Sequence, residues 1–151
     1  MLNTDFKEFL NLLSAHRVEY LIVGGYALAA YGHPRYTGDI DVWLNPVEAN
    51  IERLTSVLDI FGFGSLGIKC ADLLQPEAVI QLGYPPARID LLSSIDGVAF
   101  SDAYSHRLNI VFGGVALPVI SVAHFKANKL IVGRIKDLAD IEALSAQNFK
   151  P

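Results

Sequence analysis

Phe6, Phe9, Leu10 and Leu13 recur at i, i+3, i+4 and i+7 near the start of the chain. That is the spacing of one helix face, and Asp5 with Glu8 three residues on has the form of a capping box opening the helix. Then the period changes. Tyr20 to Val23 is an apolar run short and β-branched enough for a buried strand, and Gly24-Gly25 breaks it where the backbone must turn sharply. Helix formers follow from Tyr26 to Tyr31, Gly32-His33-Pro34 ends them, and Asp39 to Leu44 resumes as a second strand. Asn45-Pro46 starts a further helix, Val47 to Phe61, with Ile51, Leu54, Leu58 and Phe61 as its apolar stripe.

Beyond the Gly62, Gly64 and Gly67 loop, Ala78 to Leu82 and Arg88 to Leu92 flank Gly83-Tyr84-Pro85-Pro86 and read as a hairpin. Ser101 to His106 reads as a short helical turn, and Leu108 to Phe112 with Val115 to Ile120 as a second hairpin about Gly113-Gly114. Ser121 caps a helix from Val122 to Val132, which Gly133 interrupts and Ile135 to Ala146 resumes, with Leu138, Ile141 and Leu144 expected to face the core.

On the second strand, period 2 places Asp39 and Asp41 on one face and Ile40 and Val42 on the other. Two adjacent carboxylates on a mostly buried strand repel each other and resist desolvation, so they need a shared cation or strong donors. Mg²⁺ suits such oxygen ligands, leaving its other positions to water and substrate phosphates. The Gly24-Gly25 turn fits the same use, because it offers backbone N–H groups at a helix N-terminus where a phosphate can settle. Asp90, in RIDLL, sits mid-strand between apolar neighbours. Arg88 shares its face and would neutralise it when no metal is bound; a plain ion-paired or strand-end aspartate is the alternative.

Composition fits one domain over residues 1–151: 52% of the chain is hydrophobic and 19% charged, enough for one good core. No apolar run reaches the ~20 residues needed to span a bilayer, and no signal peptide is recognised, so the expected location is cytoplasmic with no membrane partner. Cys70, the single cysteine, is expected to serve packing. A net charge of −4 argues against a broad electrostatic footprint on nucleic acid. Basic residues gather late, at Lys126, Lys129, Arg134 and Lys136, which suits either a solvated helix face or phosphate holders. Lys136 and Asp140, at i, i+4, equally fit an ordinary surface pair. The glycine loop lacks the βαβ context of a dinucleotide site, and His16, His33, His106 and His124 lack metal-ligand spacing.

Gly24-Gly25, Arg35, Thr37, Asp39-Ile40-Asp41 and the later Asp90 together resemble the DNA polymerase beta-like nucleotidyltransferase superfamily. Lys129-x4-Arg134-x-Lys136-Asp137-x2-Asp140 is similar to the basic and acidic helix motif of its AbiEii-type members, and the resemblance covers residues 18 to 145. It implies an α/β nucleotidyltransferase fold, a small, twisted, mixed β-sheet of about five strands flanked by α-helices. It implies metal-dependent transfer of a nucleoside monophosphate from an NTP to an acceptor hydroxyl, with release of pyrophosphate. Asp39, Asp41 and Asp90 would hold Mg²⁺ or Mn²⁺. Gly24, Gly25, Arg35, Thr37, Lys129, Arg134 and Lys136 would bind the nucleotide and its phosphates, and Asp137 and Asp140 would hold Lys136 and Arg134. The acceptor, whether RNA end, protein or small molecule, stays open, as does a partner chain in a toxin-antitoxin system. A non-catalytic nucleotide-binding or protein-interaction module is the rival reading.

Overall fold

The computed structural model describes residues 2–33, 38–64 and 67–146. Its apolar and alternating runs become β1 (Tyr20–Val23), β2 (Asp39–Leu44), β3 (Val79–Leu82), β4 (Arg88–Leu92), β5 (Leu108–Phe112) and β6 (Val115–Val119). These join in one mixed sheet of order β3-β4-β2-β1-β6-β5. Six strands replace the expected five or so because both hairpins add two strands each. β3 and β4 pair antiparallel, as do β5 and β6, on either side of an antiparallel β1–β2 centre. The joints between these units are parallel, β2 with β4 and β1 with β6.

Residues paired across strands share a sheet face. Val23 opposite Asp41 and Leu21 opposite Trp43 define one face; Ile22 opposite Val42 and Tyr20 opposite Leu44 define the other. Helix α1 (Thr4–Ala15) covers the second: Phe6, Phe9, Leu10 and Leu13 are fully buried, and Ser14 Oγ lies 3.3 Å from the Tyr20 hydroxyl. Its Phe9 ring packs 5.3 Å from Phe61 of α3 (Glu48–Phe61). The carboxylate face carries α4 (Phe100–Ser105), whose Phe100 meets Trp43 edge to face at 5.1 Å. Between β1 and β2 lies the short α2 (Gly24–Ala30); α5 (Val122–Val132) and α6 (Ile135–Ala146) follow β6.

Three local expectations change. Helix α1 is capped by Asn3, whose Oδ1 accepts the Phe6 N–H at 2.8 Å, so Asp5 falls in the first turn, where its charge favours the helix dipole. Leu138 is 46% exposed, while Asp137, Asp140 and Leu144 form the buried stripe of α6; the inward face is set by carboxylates that meet a buried lysine. The glycine loop leads into a 3-10 turn at Cys70–Leu74, where Cys70 and Leu73 are buried. Asn50, fully buried on α3, was not anticipated. Its side chain accepts the Glu19 N–H at 2.7 Å and donates to Glu19 O and Asn45 O, tying the entry of β1 to the exit of β2. No helix among the described residues is long and apolar enough to cross a membrane.

Candidate active site

The parallel register of β2 and β4 sets Asp41 beside Asp90 and Asp39 beside Arg88. Since period 2 already aligns Asp39 with Asp41 and Arg88 with Asp90, all four side chains project from one face. The three carboxylates each offer an oxygen within 4.8 Å of the others. Arg88 closes over them. Its Nε and Nη2 donate to the two oxygens of Asp90 at 2.8 and 3.0 Å, and Nη2 also lies 3.3 Å from Asp39 Oδ2. The pairing of Arg88 with Asp90 follows from the sequence, but its reach to Asp39 comes from the register.

Gly24 sits against this group. Its φ is +69°, a left-handed conformation, and a Cβ there would overlap Asp41 Oδ2. Glycine is thus needed both for the turn out of β1 and for the room Asp41 occupies. Gly24 and Gly25 open α2, whose N-terminus has no side-chain cap.

Crowding three carboxylates shifts their protonation. Burial, then the Asp39 charge, push the Asp41 carboxyl up to about 7. Burial also raises Asp90, against the opposing hydrogen bond from Arg88. For Asp39, burial pulls upward too, but hydrogen bonds with Asp90 and Asp41 and the Arg88 charge outweigh it and leave the carboxyl below its ordinary value. Below about pH 7 the cluster therefore holds a proton on Asp41. A divalent cation fits here on physical grounds, since the retained proton and the Arg88 clamp both answer a surplus of negative charge that such an ion would neutralise.

A second charged group lies at the α5–α6 corner. Lys129 is buried, with Nζ 3.1 Å from Asp137 Oδ1, 3.9 Å from Asp140 Oδ2 and 5.4 Å from the Phe125 ring centroid. Asp137 also accepts from Arg134, at 2.6 Å from Nε and 3.2 Å from the backbone N–H, and so caps the start of α6. The Arg134 hydrogen bond, ahead of Lys129, holds the Asp137 carboxyl down at about 2. Asp137 and Asp140 therefore meet Lys129 and Arg134, where Lys136 and Arg134 were expected. Lys136 is exposed and forms no ion pair among the described residues. Lys129 joins the two groups electrostatically, because its charge lowers the proton affinity of Asp41. Arg35 and Thr37 lie outside the described residues.

No family model and no curated protein matches the chain. Among solved structures it is similar to a proposed nucleotidyltransferase from Thermotoga maritima, with a TM-score of 0.59 over 94% of this chain and 91% of that one, at 15% identity. The fold is nucleotidyltransferase-like. The α/β architecture that the motifs imply is thereby matched by a solved structure at low sequence identity. In this nucleotidyltransferase-like fold the carboxylates of β2 and β4 and the glycine turn after β1 come together at one end of the central strands.

Proposed function

We propose that the protein is a metal-dependent nucleotidyltransferase of the DNA polymerase beta-like superfamily, AbiEii-type, formed as one domain over residues 1–151. The observation that carries this reading is the convergence of the Asp39, Asp41 and Asp90 carboxylates, each offering an oxygen within 4.8 Å of the others, beside the Gly24 turn. These three side chains would hold Mg²⁺ or Mn²⁺, which when bound would offset triphosphate charge and acidify the acceptor hydroxyl. The acceptor oxygen forms a bond to the α-phosphorus, the bond from that phosphorus to the bridging oxygen breaks, and pyrophosphate leaves. Asp90 takes the hydroxyl proton on a carboxylate oxygen released by Arg88. Gly24 and Gly25 N–H groups receive phosphate oxygens at the uncapped start of α2. Lys129 supplies a buried positive charge whose field reaches Asp41, and Arg134 and Lys136 supply outer ones. Arg35 and Thr37 are assigned to the nucleotide by resemblance. The acceptor is an RNA end, a protein or a small molecule, the location cytoplasmic, and a toxin-antitoxin partner chain completes the reading.

One observation favours the rival, a nucleotide-binding module without catalysis: the two-point grip of Arg88 on Asp90 already supplies a cation. Incubation with each α-³²P-labelled NTP and Mg²⁺ or Mn²⁺, adding in turn total RNA, lysate and no acceptor, separates the two. Transfer of label that vanishes in Asp39→Ala supports the enzyme. Tight NTP binding without transfer to any acceptor supports the module.

A further inference from the structure

A cleft of about 410 Å³ opens away from the carboxylates, lined by residues from α1, α4, β5 and β6. Its volume falls in the range of small-molecule sites. Asn109 and Pro118, opposite each other in the β5–β6 ladder, lie on its wall. The aromatic chain from Trp43 through Phe100 to Tyr104 leads to it across the carboxylate face. Tyr20, at the far end of β1 from Gly24, also lines it, which sets the cleft roughly 13 Å from the glycine turn along the strand.

Two arginines give the cleft its character. Arg107 is held in place: its guanidinium lies 4.0 Å over the Tyr104 ring, Tyr104 stacks on Phe100 at 5.2 Å, and Arg107 Nη1 donates to Tyr104 O at 2.8 Å. Its remaining donors are thereby fixed in direction. Arg17 arrives by a different route. Helix α1 ends in a Schellman arrangement, with Val18 N–H bonded to Leu13 O and Arg17 N–H to Ser14 O. Its left-handed position, where glycine is favoured, is taken by Arg17 at φ +56°. An arginine there is strained relative to glycine. At that position Arg17 is one of the residues lining the cleft.

Neither guanidinium forms an ion pair among the described residues. Glu19, the one carboxylate among the described residues of the lining, accepts instead from Asn45 Nδ2 at 2.8 Å. The cleft is therefore net positive in a chain of charge −4, and Ser14 adds a hydroxyl donor. Two forked cations, one pre-set, and a hydroxyl on the same lining suit the tetrahedral oxygens of a phosphate. We propose that this cleft is a phosphate-binding site, taking either a phosphodiester of a nucleic-acid strand or the phosphate of a free nucleotide. It is separate from the carboxylate centre and stands whether or not that centre transfers nucleotides.

The test uses the full chain in EDTA, which removes any metal-dependent binding at Asp39, Asp41 and Asp90. Arginine Nε–H resonances are followed by ¹⁵N NMR during titration with inorganic phosphate and with uridine monophosphate, and a short fluorescein-labelled single-stranded RNA is followed by anisotropy. Arg17 and Arg107 resonances are expected to move. Arg17→Gly and Arg107→Gln should each weaken the ligand about tenfold and, for RNA, lower the salt slope by about one. Asp39→Ala should bind as wild type does. Because Arg17→Gly relieves the positive φ, its melting temperature should hold or rise, so lost binding cannot be ascribed to unfolding. RNA binding far more tightly than phosphate identifies a strand as the source; monophosphate binding that RNA does not displace identifies a nucleotide. Unmoved Arg17 and Arg107 resonances with every probe, or wild-type affinity in both arginine variants, would overturn the proposal.

Discussion

Gly24 and Asp41 occupy one volume: the space a Cβ would fill at Gly24 is taken by the carboxylate oxygen of Asp41. Gly24→Ala therefore meets two penalties, a left-handed backbone and a clash, and is expected to lose about 2–4 kcal/mol in urea unfolding. The two can be separated. In a Gly24→Ala, Asp41→Ala double variant the clash disappears and the backbone strain stays, so a coupling of about 1 kcal/mol or more should appear in the double-mutant cycle. Strict additivity would show that the contact carries no energy.

The retained proton on Asp41 gives the metal-free protein an unusual pH response. Its folded value of about 7 stands above the ordinary aspartate value of about 3.9, so between these pH values the folded state binds more protons than the unfolded one. Stability from this group is complete below about pH 4 and is lost as pH rises toward 7, by on the order of a few kcal/mol. Thermal melts in EDTA should fall from pH 5 to pH 7.5. Asp41→Asn should flatten the curve and raise the melt at pH 7.5, whereas a large loss of stability in that variant would make Asp41 a structural residue.

Metal binding should displace that same proton. Calorimetric titration with Mg²⁺ or Mn²⁺ at pH 6, in buffers of different ionisation enthalpy, is expected to show release of about one proton, falling toward none at pH 9. Release that does not change with pH would place the proton elsewhere.

Asp137 and Lys136 are adjacent in sequence and should differ sharply in effect. Asp137→Ala leaves Lys129 buried with only Asp140, at 3.9 Å, and removes the cap on Arg134, so a loss of about 3 kcal/mol is expected. Lys136→Ala, at an exposed position, should stay within about 0.5 kcal/mol. Asp137 is also held at about 2; its contribution is present above pH 4 and lost as pH falls toward 2, so Asp137→Asn should remove an acid-side step from the melts.

Much of the fold was legible because it is local. The helical spacing of Phe6, Phe9, Leu10 and Leu13 does place them in the core, and the Ser121 cap, the Gly133 break and the two hairpins lie where turn chemistry puts them. Legibility failed where two signals competed within a few residues. Asn3 and Asp5 are both good caps, and only the path of the chain into α1 chose the first. On α6, leucine periodicity pointed Leu138 inward, but ion pairing to Lys129 turned Asp137 and Asp140 to that side.

The candidate site divides along the same line. Period 2 by itself determined that Asp39 shares a face with Asp41 and Arg88 with Asp90, because alternation is a property of any extended chain. It cannot say which strand lies beside which, or in what register, since a slip by one residue sends every side chain to the other face. The parallel pairing of β2 with β4 decided that, joining Asp41 to Asp90 and bringing Arg88 within reach of Asp39. The docking of α5 and α6 did the same for Lys129, whose partners and whose influence on Asp41 depend on burial and distance across the sheet. Electrostatic coupling follows separation in space and local dielectric, and neither is set by position along the chain.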